Sequence, residues 1–276
     1  MKSAFSILLS FITFLLFSQG NIIYVDNKNG QQIAYHSESG VKILKAKGHQ
    51  FKDLNKNGKL DKYEDWRLPA VERAKHLASV LTIEEIAGLM LYSRHQSIPG
   101  RPGGFFAAPY NGKPFAASGL TADALTGQQK DFLVKDNLRH ILITTVQSPE
   151  VAAKWNNNVQ AFCEKLGKGI PENNSSDPRH GTVVNMEYNA GAGGTISMWP
   201  GSLGMAASFD PELVLQFGQI AASEYRALGI TTALSPQVDI ASDPRWMRAS
   251  GTFGEDPFLS ADMAKAYCDG FQTSSD

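Results

Sequence analysis

Three times in this chain a helix opens on a capping residue followed at once by proline: at Ser148-Pro149, Asp210-Pro211 and Asp256-Pro257. A side-chain oxygen at the first position can accept from the free N–H groups of the opening turn. Proline at the second has no N–H to leave unpaired. Behind these starts, Val151, Trp155, Val159 and Phe162 fall on one helical face, as do Leu213, Phe217 and Ile220, and then Leu259, Met263, Ala266 and Phe271. The β-branched run His140–Val146 and the apolar segments near Thr182–Met186 and Ile230–Ile240 read as the intervening strands. Strands joined through helices predict an α/β fold with a parallel sheet and right-handed crossovers. A full (β/α)8 TIM-type barrel takes about 250 residues, and the rhythmic part here, some 150 long, supplies three or four units. The fold expected is therefore the N-terminal portion of such a barrel, truncated, spanning residues 67–276.

Upstream, Pro69 suits a first helical position, with Val71, Ala74, Leu77 and Val80 at helical spacing. Thr82 and Glu85 form a capping-box pattern for a second helix, whose buried stripe is expected to be Ile86, Leu89 and Met90. Residues 96–127, rich in glycine, proline and alanine, read as a long loop, and 21–66 as an N-terminal extension, irregular to about Gln50. Residues 1–20 read as a signal peptide: Lys2 is the positive start, Ala4–Phe17 the apolar run, and Ser18-Gln19-Gly20 the small-residue cleavage region. The run is short of the roughly 20 apolar residues of a membrane span, so export to the periplasm or the extracellular space is expected, with no stable membrane anchor. A formal charge of −1 gives no electrostatic case for nucleic acid. Cys163 and Cys268 lie in separate helical segments and read as free thiols, and Asn173 and Asn174 each begin an N-x-S triplet.

Residues 53–64 follow the spacing of a calcium-binding loop. Asp53, Asn55, Asn57, Asp61 and Glu64 stand at positions 1, 3, 5, 9 and 12, with Gly58 at the bend and the Lys59 carbonyl at position 7. Hard cations need oxygen donors in this number, so a structural Ca2+ is expected, and no cofactor for catalysis. The same residues also suit a solvated turn that binds nothing. No convincing helix enters the loop, and Pro69 cuts short one leaving it.

From about Pro69 to Gln272, most strongly from Asp177 onward, the chain resembles family 3 glycoside hydrolases. The resemblance is carried by Asp177-Pro178-Arg179-His180-Gly181, by Trp199-Pro200 with Leu203 to Asp210, and by Asp243-Pro244-Arg245-Trp246-Met247-Arg248, where Met247 replaces a glycine of the family pattern. It implies a β-glucosidase-like, exo-acting, retaining enzyme of carbohydrate catabolism that takes a β-linked oligosaccharide or glucoside. It further implies that Asp177 accepts from two hydroxyls of the terminal sugar while Arg248 donates to one. Trp246 fits a platform against a sugar face and core packing equally. His180 fits a substrate contact or a bond to a backbone carbonyl. Arg245 reads as a loop brace through Asp239 or Asp243, and Asp256 as a helix cap. In the family the nucleophile is an aspartate late in the barrel, beyond a strand-borne Lys-His pair, and the acid/base comes from a following domain or a mobile loop. No such strand is read here. No catalytic residue is assigned, and the chain alone is expected to be inactive without the C-terminal half of the barrel and the following domain. The alternative is a non-catalytic, calcium-stabilised carbohydrate-binding protein.

Overall fold

The computed structural model describes residues 21–101, 108–177, 180 and 195–273. The leader and the strand expected near Thr182–Met186 lie outside them. Two antiparallel hairpins come first: β1 (Ile22–Val25) with β2 (Ile33–His36), and β3 (Lys42–Ala46) with β4 (His49–Asp53). This corrects the irregular extension expected there. Lys47 and Gly48, both at positive φ, make the two-residue turn that sets Ala46 opposite His49. The hairpins are tied to the rest by Glu164. One of its carboxylate oxygens accepts from the Lys52 Nζ at 2.7 Å, and the other from the His36 backbone at 2.9 Å. Phe51, fully buried, stacks on Trp66.

Next come α1 (Ala70–Val80) and α2 (Ile83–Leu89). The Thr82–Glu85 capping box forms as expected, but the stripe does not bury: Met90 is 82% exposed, Ile83 is equally so, and α1 has no buried residue. The buried residue of α2 is Gly88, where a Cβ would lie 2.4 Å from the Asp136 carbonyl. The helix therefore docks on the 136–137 backbone through its one missing side chain.

A four-stranded parallel sheet follows, in the order β5 (Gln96–Ile98), β6 (His140–Val146), β7 (Asn173–Ser176), β8 (Thr232–Ala233). Between strands run the short α3 (Phe115–Ser118), then α4 (Gly127–Val134), α5 (Pro149–Lys165), α6 (Ser202–Ala206) and α7 (Pro211–Ala227); α8 (Pro257–Thr273) closes the described chain. Parallel strands taken in sequence order, each followed by helix, are the α/β pattern expected from the sequence. The 96–127 stretch holds a strand and a helix rather than one loop, and the strand read over 230–240 narrows to β8. Beyond it Leu234, Val238 and Ile240 are exposed.

The caps are where the sequence put them. Ser148 accepts from Val151 N, Asp210 from Glu212 N and Leu213 N, and Asp256 from Phe258 N and Leu259 N, the last pair both at 2.8 Å. Both cysteines are free, and burial pushes the Cys163 thiol up to about 12. β7 carries both N-x-S triplets, yet Asn174, Ser175 and Ser176 are buried. The Ser175 and Ser176 hydroxyls donate sideways to the Ile141 and Ile143 carbonyls at 2.9 and 2.6 Å, so the triplets are sealed inside the sheet. Among the described residues no helix is long and apolar enough to cross a membrane.

α7 and α8 pack closely at Gly218 and Gly270. A Cβ on Gly270 would meet the Leu215 carbonyl at 2.5 Å and the Gly218 Cα at 2.8 Å, both backbone atoms that cannot turn aside. Gly270→Ala is expected to cost about 2 kcal/mol through overpacking, read as a lower urea midpoint at unchanged slope. An unchanged midpoint would contradict this packing.

Candidate functional site

In sheets of this kind functional groups collect at the carboxyl ends of the strands. Asp177 follows the last residue of β7 directly and stands on that rim. Its backbone is held from behind, because the Tyr225 hydroxyl donates to its carbonyl at 2.8 Å. Its carboxylate comes within 3.9 Å of the His95 ring, which the sequence reading did not single out. The next strand ends alongside: Leu234 N donates to the Ser176 carbonyl at 2.9 Å. Three residues further, Gln237 accepts from the Arg248 guanidinium at 3.2 Å, which ties Arg248 to the segment leaving β8.

The turn carrying Arg248 is braced by Arg245, as expected. Its Nε and Nη2 reach the two oxygens of Asp243 at 3.0 and 2.6 Å, and that guanidinium holds the Asp243 carboxyl below its ordinary range. Asp243 also accepts from the Arg245 backbone, and Trp246 N donates to the Asp243 carbonyl. Met247 is 89% exposed and is not among the residues with positive φ, so a side chain there costs the turn no strain. Trp246 is about one-third exposed on the same turn.

His180 is turned inward. It is 3% exposed, its Nε2 lies 2.7 Å from a Glu224 oxygen, and its ring tilts against Tyr225 with the edge of Phe217 beside it. Its carbonyl accepts from Trp199 N at 2.6 Å. The ring is thus held against α7 by Glu224 and the aromatic side chains.

A model of the glycosyl hydrolase family 3 N-terminal domain matches residues 119–275. The chain belongs to that family. It is 41% identical over 244 residues to a periplasmic β-glucosidase/β-xylosidase of Dickeya chrysanthemi, covering 84% of this chain and 33% of that protein. It is 34% identical over 202 residues to β-glucosidase C of Emericella nidulans, covering 73% of this chain and 29% of the other. Among solved structures, a β-glucosidase from Erythrobacter marinus superposes with a TM-score of 0.53 at 25% identity, over 77% of this chain and 24% of its own. The chain thus spans about a third of the length of the curated relatives it matches.

Against that family pattern, the Lys-His dipeptide of this chain, Lys75-His76, lies on α1, where His76 stacks on Tyr63, and belongs to no strand. A cavity of about 140 Å3 lined by Glu85, Leu133, Arg139 and Lys168 lies by the amino ends of the strands, opposite the rim. Glu85 and Lys168 pair across it at 2.8 Å.

The loop 53–64 leaves β4 rather than a helix. Asp53, fully buried, accepts from Asn57 N and Gly58 N at 3.0 and 2.9 Å, and Gly58 sits at φ 76°. Glu64 accepts from Leu54 N and Asn55 N with one oxygen and from Asp61 N with the other. The Asn55 and Asn57 amides both donate to one Asp61 oxygen at 2.7 Å. Positions 3, 5 and 9 therefore converge on one point. Among the described residues no three acidic, histidine or cysteine side chains close into a metal centre; the Asp53 and Glu64 carboxylates are occupied by backbone N–H groups and that of Asp61 by side-chain amides.

Proposed function

We propose that this chain forms the terminal-sugar end of the active site of an exported, retaining β-glycosidase, β-glucosidase-like, acting on the non-reducing ends of β-linked glucosides. The observation that supports the reading is Asp177 at the carboxyl end of β7, with Arg248 bonded to Gln237 in the segment that follows the neighbouring β8. A carboxylate accepting from vicinal hydroxyls and a guanidinium donating beside it supply the charge-assisted bonds that a neutral sugar needs. The names of the Dickeya and Emericella relatives support β-glucoside and β-xyloside substrates, and the periplasmic Dickeya protein supports export. The four sequential parallel strands are read as an arc of the (β/α)8 barrel. Retaining hydrolysis needs a nucleophilic carboxylate and an acid/base about 5 Å apart. We assign neither to a residue of this chain. Hydrolysis of p-nitrophenyl β-D-glucoside and β-D-xyloside by the protein as its gene encodes it tests the reading. Turnover of the glucoside is expected, and inertness toward both would overturn it.

The loop 53–64 is read as a structural calcium site. The spacing of the oxygen donors Asp53, Asn55, Asn57, the Lys59 carbonyl, Asp61 and Glu64 supports this. Adding 10 mM calcium to EDTA-treated protein is expected to raise Tm by about 5 °C, and Glu64→Gln to remove most of that rise. An equal Tm with calcium and with EDTA would make the loop a plain turn. Binding of a glucoside without turnover would favour the calcium-stabilised carbohydrate-binding protein instead.

A further inference from the structure

Two adjacent residues of α7, Glu224 and Tyr225, hold the backbone that presents Asp177. Tyr225 donates its hydroxyl to the Asp177 carbonyl at 2.8 Å. The Glu224 carboxylate takes three bonds. One oxygen meets His180 Nε2 and the Ser197 hydroxyl, both at 2.7 Å; the other accepts from Ser197 N at 3.0 Å. Ser197 in turn accepts from the Trp199 indole at 3.1 Å. Burial would push the Glu224 carboxyl up, but the Ser197 bonds and the neighbouring His180 outweigh it and hold it below its ordinary range. The carboxylate is therefore ionised and acts as acceptor, which places the proton of the shared bond on His180 Nε2. The base for all this is stiff. Val214, Phe217, Ala221, Ala222 and Tyr225 are buried along α7, so the helix cannot shift without breaking the core.

We infer that Glu224 and Tyr225 are positioning residues for sugar binding: from one helix they hold the Asp177 carbonyl and the His180 ring, and so set the aim of the Asp177 carboxylate. This rests on the reading that Asp177 binds the terminal sugar. A carboxylate serving two hydroxyls works only within a narrow range of directions, and the groups behind it must supply that precision.

The test is steady-state kinetics with p-nitrophenyl β-D-glucoside on the protein as its gene encodes it, with melting temperatures beside them. Tyr225→Phe keeps the ring packing and removes one hydroxyl; KM is expected to rise about fivefold with kcat changed less than about twofold. Glu224→Ala is expected to raise KM about thirtyfold, and Glu224→Gln, which keeps one acceptor oxygen for Ser197, about threefold. If Glu224→Ala fails to fold, the other two variants carry the test. Lowered melting temperatures with KM unchanged in Tyr225→Phe and Glu224→Gln would overturn the inference, because a merely structural clamp gives that result. Asp177→Ala run alongside separates the two claims. If it raises KM while the helix variants do not, the clamp alone is wrong. If it leaves KM untouched, the sugar-binding reading has failed and the clamp with it.

Discussion

Asp177→Ala is expected to lower kcat/KM for a β-glucoside about a thousandfold. The carboxylate is assigned two hydroxyl hydrogens, and hydrogen bonds to a charged group contribute about 1.5–3 kcal/mol each. Their joint loss, about 3–6 kcal/mol, corresponds to a factor of about 10²–10⁴. Asp177→Asn, which keeps shape and one acceptor, is expected to fall about a hundredfold. The fold should survive both, because the bond from Tyr225 goes to the Asp177 carbonyl and is indifferent to the side chain. A loss under about threefold, with the protein folded, would remove Asp177 from the site.

The second large effect is structural. Trp155 on α5 is fully buried, and its indole donates to Gln129 Oε1 at 3.1 Å. The same Gln129 oxygen accepts from Thr126 N, closing the capping box of α4. Trp155 thus fills the space between α5 and the sheet while bracing the start of another helix. Trp155→Ala is expected to cost about 4 kcal/mol from lost contact and the cavity left behind, a large part of the 5–15 kcal/mol that a domain usually has. Trp155→Phe, which keeps most of the ring volume but not the donor, is expected to cost about 1–2 kcal/mol. Urea unfolding measures both, and an alanine variant within about 1 kcal/mol of the parent would show that this part of the core repacks freely.

Much of this was legible in the residues, for reasons that can be named. The Ser148, Asp210 and Asp256 caps are local chemistry: each depends on an oxygen and on N–H groups two or three residues away. β6 is a β-branched run of ordinary length. β7 gave no such signal, because Asn173-Asn174-Ser175-Ser176 looks like a loop until Ile141 and Ile143 supply the carbonyls its hydroxyls need. The hairpins were hidden similarly. In His49–Asp53 the Gln50 and Lys52 side chains have partners elsewhere, Lys52 on Glu164 being 112 positions away. α2 misled in the opposite direction: its apolar stripe is genuine, yet Gly88 makes the closest approach to the core.

Asp177 and Arg248 are assigned to the site through resemblance, and Arg245 is read as a brace from the pairing its neighbour Asp243 offers. Glu224, Tyr225 and His95 carry no local pattern. They act across 44, 48 and 82 positions of sequence, and only the folded sheet brings them to the rim. His180 was readable as a residue of interest, and its inward turn toward Glu224 was not.

The central claim, a retaining β-glycosidase whose terminal-sugar end is built here, is tested most directly by proton NMR of a β-glucoside being hydrolysed by the protein as its gene encodes it. In a retaining mechanism the anomeric carbon is inverted twice, first when an enzyme carboxylate displaces the aglycone and then when water displaces that carboxylate, so β-glucose must be the first anomer released, with the α-anomer appearing only as mutarotation proceeds. α-Glucose appearing first, or a glucoside bound and never cleaved, would contradict the account.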